Sequence, residues 1–328
     1  TASVVCLVRA SSPAQGQERI RTNLDTYGLE VNWQRVRVLP GALEEPWLGL
    51  APELYQQLSD EVDTIYHAAA NVSFLPTYEK LKGVNVDGLL AMLRLAACGR
   101  AKSIHHVSTY SVFNAADYNG HPTVYEEPLR GSGQGFRRGY PASKWVAERI
   151  GDLARQRGFT IASYRAGLLS GDTRLGRSKD DDVMALNLEA CETMGVAQDL
   201  DFLMHLTPVD YAAAALVEVS KNSPTGHYHL ITETPISFAQ VVDALGLPRL
   251  PAKEWYERCK AQVRSYPQWM PLLWMLSQDP QRSFWSDANL FSMNFDASRV
   301  RQAVQGSGLS CPLVDEALLS LYRASRRT

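Results

Sequence analysis

Three observations predict an α/β fold: a Rossmann-like, doubly wound parallel sheet carrying a smaller, mostly helical C-terminal subdomain. Short apolar runs rich in β-branched residues recur along the chain, amphipathic helical stretches separate them, and two less regular segments break the alternation, the second of them with prolines and tryptophans.

In chain order, the first strand is SVVCLVRA (3–10), followed by a helical pattern over 14–26. RVRVLPG (35–41) and VDTIYHAAA (62–70) are the next strands, with a helix over 50–60 between them. A helix over 78–98 leads to KSIHHVST (102–109), and a helix over 140–157 leads to FTIASYRAG (159–167). After a helix over 208–221 the last strand is GHYHLIT (226–232). These runs are near-continuous in apolar character, as strands covered on both faces must be. Residues 1–170 and 208–232 therefore form the doubly wound part, and 171–207 with 233–328 the helical cap over its carboxyl edge. The tryptophan- and methionine-rich stretch from Trp255 to Trp285 reads as packed core between cap helices.

Composition narrows the function classes. With 45% hydrophobic and 21% charged residues, the 328-residue chain is globular and buries a sizeable core. The net charge is −2, and basic runs stop at pairs such as Arg137-Arg138 and Arg326-Arg327, which excludes a phosphate-backbone footprint and hence nucleic acid. The five cysteines (Cys6, Cys98, Cys191, Cys259, Cys311) are widely spaced, against both a disulfide framework and a zinc site. A cytoplasmic protein without a membrane span is the expectation. Asp180, Asp181 and Asp182 read as a solvated acidic loop rather than a metal site.

The chemistry centres on GYPASKWVAER (139–149), where Tyr140 and Lys144 lie one helical turn apart on one face. Chance alone gives about 0.3 such pairs in a chain of this composition, so the pair needs company. HHVSTYSVF (105–113) supplies it, ending a strand in hydroxyl residues at the edge where open α/β sheets bind ligands. Hydride addition to a carbonyl leaves negative charge on oxygen, which Tyr140 can meet with a proton and Thr109 with a hydrogen bond. A nearby Lys144 ammonium is expected to lower the phenol's pKa from its reference of about 10.

These segments, together with CLVRA, YHAAANVSFLPTYEKLKGVNVDG, YRAGLLSGDTRLG and LTPVDYAAAAL, resemble the extended short-chain dehydrogenase/reductase superfamily. Within it the chain is similar to the thioester reductase domains that terminate nonribosomal peptide synthetases, some polyketide synthases and carboxylic acid reductases. The resemblance implies Thr109, Tyr140 and Lys144 as the catalytic triad. It implies Asn85 as the family's helix asparagine, structural or part of a proton relay at the cofactor site. Arg9 corresponds to the residue on the adenosine 2′-phosphate, which favours NADPH and suits a guanidinium. His67, Ala68 and Ala69, with Ala70, would line the ribose side, and Ala166, Gly167 and Leu168 would lie beside the nicotinamide.

The implied reaction is NADPH-dependent reductive release of a carrier-protein-bound acyl or peptidyl thioester as aldehyde, with further reduction to alcohol left open. The implied partner is an acyl or peptidyl carrier protein with its phosphopantetheine arm, inside a larger synthetase. Arg174 and Arg177 are candidates to meet it, or are an ordinary solvated loop. An extended short-chain epimerase or dehydratase acting on nucleotide sugars, and a redox-silent release or scaffold domain, remain alternatives.

Two departures accompany the resemblance. The family opens with a strand and a glycine-rich turn that holds the pyrophosphate; this chain starts at what reads as the second strand, so a βα unit upstream of Thr1 is expected. The family's Gly-Asp after the third strand is Gly41-Ala42 here, which weakens adenine recognition.

Overall fold

The computed structural model describes residues 2–73, 75–118, 120–179, 182–222, 225–276 and 293–325. The stretch 277–292, with Trp285, and likewise Asp180, Asp181 and Arg326-Arg327, lie outside the described residues.

The six expected strands and five expected helices are present. The chain opens with β1 (Val4–Val8), α1 (Pro13–Thr26), β2 (Val36–Pro40), α2 (Pro52–Glu61) and β3 (Thr64–His67). Next come α3 (Tyr78–Lys82), a π-helical turn (Gly83–Asp87) and α4 (Gly88–Ala97), one helical run that the sequence pattern read as a single helix. Then follow β4 (Ser103–Thr109), α5 (Ala115–Tyr118), β5 (Thr123–Val124), α6 (Gly139–Gln156), β6 (Thr160–Ala166) and β7 (Leu168–Ser170). Ser12 caps α1 by accepting from the Gln15 amide at 3.2 Å, with Pro13 as the first helical residue, where a missing N–H costs nothing.

Strands β3, β4 and β6 run parallel, and β11 (Gly226–Leu230) completes a four-stranded sheet in the order β11-β6-β4-β3. β1 and β2 pair parallel with each other in a separate ladder. The expected single sheet is thus divided, although both parts share a core in which Leu39 packs with Ile65, Leu89, Ile104 and Ile161. All of β6 beyond its first residue is buried, Ser163 and Arg165 included, as a strand covered on both faces is.

The part read from the sequence as the cap begins with α7 (Val183–Met194), β8 (Ala197–Asp199), β9 (Leu203–Met204) and β10 (Leu206–Pro208). After α8 (Val209–Asn222) and β11 come β12 (Ile236–Ser237), α9 (Phe238–Ala244), β13 (Arg249–Pro251), α10 (Ala252–Gln262) and α11 (Met270–Leu276). Trp255 and Trp269 are fully buried in its core, and the Trp255 indole donates to the Val196 carbonyl at 2.9 Å, so this part of the aromatic stretch is packing. The cap also holds short ladders, β8 with β13 and β9 with β12, that the sequence pattern did not register.

Near the carboxyl end the chain returns to the sheet. β14 (Asn294–Phe295) pairs with β5, and α12 (Ser298–Ala303) buries Val300 against Tyr164, Tyr211 and Tyr228, before α13 (Glu316–Ser325) packs Leu319 and Tyr322 into the cap core. All five cysteines are free, and no helix among the described residues is long and apolar enough to cross a membrane.

Candidate active site

The motif around Tyr140 folds as it does for local reasons. Gly139 opens α6 where a Cβ would lie 2.5 Å from the backbone of Pro76, Thr77 and Tyr78, so only glycine lets the helix start against that loop. Pro141 sits in the first turn, where its absent N–H leaves no hydrogen bond unmade. Ser143 donates back to the Tyr140 carbonyl at 2.8 Å and accepts from the Asn85 side-chain amide at 2.9 Å.

Tyr140 and Thr109 both line a cleft of about 1550 Å³, and the Thr109 hydroxyl hydrogen-bonds the phenol. Thr109 ends β4 and caps the short 3-10 turn Tyr110–Val112, accepting from the Ser111 amide at 3.2 Å and lying 3.1 Å from the Ser111 hydroxyl. Burial pushes the Tyr140 phenol up to about 12, and the Thr109 hydrogen bond only partly opposes it. The net shift is thus upward, opposite to the expected lowering. Lys144 is buried behind the cleft wall, where its ammonium donates to the Val107 carbonyl at 2.7 Å and lies 3.0 Å from His106 Nε2. Burial pushes Lys144 down to about 8, with the Glu148 carboxylate opposing.

The other expected residues divide in two groups. Arg9, Ala69, Ala70, Gly167 and Leu168 line the cleft with Thr109 and Tyr140. His67, Ala68, Asn85 and Ala166 do not. Asn85 is buried in the π-helical turn, with its carbonyl accepting from the Asn71 amide at 2.7 Å and its NH₂ donating to the Asn71 carbonyl at 3.0 Å and to Ser143. It holds Asn71, a residue of the cleft wall, in place. His67 is buried, and its pKa is driven down to about 3 by burial and by the Lys144 charge.

Sequence reasoning missed several wall residues. Arg19, on α1, lines the cleft beside Arg9 and donates to the Arg9 carbonyl; Arg9 itself is ion-paired with Glu44. The only available signal for Arg19 was a basic residue in the middle of α1, which any solvated helix also shows. Asp172 organises the turn after β7 by accepting from the Arg174, Leu175 and Arg177 amides at 3.0, 2.8 and 3.0 Å. That turn brings Arg174 to the cleft but commits Arg177 to the Thr26 carbonyl at the end of α1, so of the two candidate docking arginines only Arg174 faces a ligand-sized space. Asp182 caps α7, accepting from the Met184 amide at 2.8 Å, instead of lying in a solvated run. No group of three metal-ligating side chains occurs among the described residues.

A second polar cluster lies deeper along α6. Glu148, fully buried, accepts from Arg165 Nε at 2.7 Å and from the Ser108 hydroxyl at 2.7 Å, and His227 bridges it to Asp152 at 3.3 and 3.0 Å. Burial alone would raise the Glu148 carboxyl, but Arg165 and His227 outweigh it and hold the group far below the usual carboxylate range.

The parallel sheet, with Thr109 and Tyr140 at its carboxyl edge and arginines on the same cleft, goes with an NAD(P)-binding reductase family. The chain belongs to the NAD_binding_4 family, described as Male sterility protein, which matches residues 1–216. It is 34% identical to the terminal R domain from the myxalamid PKS-NRPS biosynthetic pathway, whose crystal structure superposes with a TM-score of 0.91 over 99% of this chain and 84% of that one. It is 31% identical over 330 residues to a linear gramicidin synthase protein of Brevibacillus parabrevis, covering 97% of this chain and 6% of that protein's length. A thiolation-reductase di-domain from an archaeal non-ribosomal peptide synthetase shares the fold, with 21% identity and a TM-score of 0.76 over 100% of this chain and 70% of that one. These relatives are R or reductase domains and a multidomain peptide synthase, and the chain spans a small part of the gramicidin synthase protein it matches.

Proposed function

We propose that this domain reduces an acyl or peptidyl thioester, carried on the phosphopantetheine arm of a carrier protein, and releases it as an aldehyde. The observation that carries the reading is the cleft-facing Tyr140 phenol, hydrogen-bonded to Thr109, with Lys144 buried one turn further along α6.

The cleft fits a dinucleotide in its donor set. Arg9 and Arg19 offer guanidinium groups to a 2′-phosphate, which makes NADPH the preferred cofactor, and the loop from Ala69 to Ser73 is the wall for the ribose side. Gly167 and Leu168 are the neighbours of the nicotinamide end. Glu44 already holds Arg9, so a phosphate must displace or share that ion pair. Bound there, NADPH supplies the hydride that the thioester carbonyl carbon accepts.

The protein's own residues handle the oxygen. Thr109 orients the carbonyl by a hydrogen bond, a positioning effect. A phenol with its pKa near 12 keeps its proton at neutral pH, so Tyr140 enters the reaction as the donor. It protonates the oxygen as negative charge develops, giving a hemithioacetal. Breaking the carbon–sulfur bond of that species then yields aldehyde and the free pantetheine thiol. Lys144, charged below about 8, stabilises the phenolate left on Tyr140. The doubly wound part serves as the cofactor half and the cap as the substrate half, with Val183, Leu186 and Pro271 giving the cleft an apolar wall for the acyl chain.

The test is NADPH oxidation with aldehyde trapping on an acyl-pantetheine thioester. Thioester-dependent oxidation with one aldehyde per NADPH supports the reading; NADPH binding without oxidation on any thioester rejects it. Arg174 is the residue proposed to meet the carrier. Arg174→Glu should raise KM for carrier-bound substrate several-fold and spare the small pantetheine thioester, and equal effects on both would remove the docking role.

A further inference from the structure

We propose that His106 is a positioning residue for Lys144, a neutral acceptor that holds the lysine ammonium in place behind the cleft wall. The inference rests on the reductase reading for its purpose but not for its geometry.

His106 lies in β4, fully buried, with Nε2 3.0 Å from Lys144 Nζ. An ammonium has three N–H donors and no acceptor, so the ring nitrogen facing it must present its lone pair, which puts the imidazole proton on Nδ1. That Nδ1 is buried with no hydrogen-bond partner among the described residues. A histidine kept for packing would be expected to satisfy its N–H; here the satisfied nitrogen is the one that faces lysine.

The surroundings keep the ring neutral. His67, its register partner on β3, stacks on it with ring centres 5.6 Å apart and planes 20° apart, and is itself neutral with its pKa near 3. From α6 the facing charges are Lys144 and, one turn on, Glu148. Burial first, then the positive charge of Lys144, hold His106 well below its ordinary pKa, and Glu148 does not offset them. A second positive charge 3.0 Å from the ammonium would be strongly repulsive, so His106 can only accept. Val107 and His106 together take two of the three lysine donors. Neutral acceptors fix the ammonium's position without the strong stabilisation a carboxylate contact would give. Lys144 is thereby held charged at neutral pH and close to its titration.

The test needs no turnover. Lysines are labelled at Cε with carbon-13, and the Lys144 resonance is assigned by its loss in Lys144→Met. Its titration is followed in cofactor-free parent, His106→Gln and His106→Leu, and long-range nitrogen-15 spectra report the His106 tautomer. The account expects the Nδ1–H tautomer in the parent. It expects a glutamine midpoint within about 0.5 pH of the parent, because an amide oxygen also accepts, and a leucine midpoint lower by about one pH unit, a tenfold loss of proton affinity. An Nε2–H tautomer, or a Lys144 midpoint that leucine leaves unmoved, overturns it. Should His106→Leu fail to fold, the tautomer and the glutamine midpoint decide: a glutamine midpoint displaced as far as one unit overturns the acceptor role. An inactive parent with the expected titration would count against the reductase reading alone, and an active parent with an unmoved midpoint against His106 alone.

Discussion

Lys144 and Glu148 are one turn apart on α6, both buried, yet their neighbourhoods are opposite. Glu148 meets a guanidinium, a hydroxyl and an imidazole, and its charge is locked far from any physiological titration. Lys144 meets a carbonyl and a neutral ring, and its pKa falls to about 8. The difference separates a charge that holds the fold together from one that is left available for chemistry. Saturated hydrogen bonding gives rigidity, whereas a charge with donor capacity to spare can still respond to a substrate.

The largest effect should come from the locked end. Glu148→Gln removes the counter-charge of a buried Arg165 and should cost about 3–5 kcal/mol of stability, measured by denaturant unfolding. A loss under 1 kcal/mol would mean that the cluster is less decisive than its geometry indicates.

Next is acid stability. His67 and His105 are held neutral to about 3 and about 4, and burial also holds His106 and His229 well below their ordinary value. In the unfolded chain these rings take up protons as pH falls below their ordinary value of about 6.5, while the native state does not, so stability drops by about 1.4 kcal/mol per pH unit for each ring. Unfolding midpoints should therefore fall between pH 6.5 and 4, before the Glu148 carboxylate begins to protonate. A flat profile over that window would place the rings in contact with water.

The available end makes the third prediction. Below about 8 Lys144 is charged, so thioester reduction should be level there and decline about tenfold per pH unit above it, while Tyr140, protonated to about 12, contributes no limb. Rates that stay level to pH 10 would remove Lys144's charge from the mechanism.

The smallest effect concerns stability at the cleft mouth. Arg9 and Glu44 form an exposed pair, so Arg9→Ala should change stability by less than about 1 kcal/mol. The same variant should weaken NADPH binding at least tenfold and leave NADH nearly unchanged, read by fluorescence titration; equal losses for both would take Arg9 off the 2′-phosphate.

Much of the sheet was legible because its strands are apolar runs and its helices keep a 3.6-residue period. The cap ladders were not, since runs of two or three residues carry no period, and the return of β14 and α12 to the sheet is a long-range contact with no local mark. Thr109, Tyr140 and Lys144 could be read together as a motif, but the direction of the Tyr140 shift could not. An i,i+4 spacing says which face two residues share and nothing about how deeply they are buried or where the ammonium's hydrogens go. His106 was invisible for a similar reason: its partners, His67 and Lys144, are 39 and 38 residues away, and only the parallel register and helix packing bring them to it.

The most direct test of the central claim is single-turnover NADPH oxidation by Tyr140→Phe on an acyl-pantetheine thioester. The account predicts a rate about 10² to 10⁴ below the parent, with NADPH affinity and unfolding midpoint retained. A phenylalanine variant that reduces the thioester at the parent rate would contradict it.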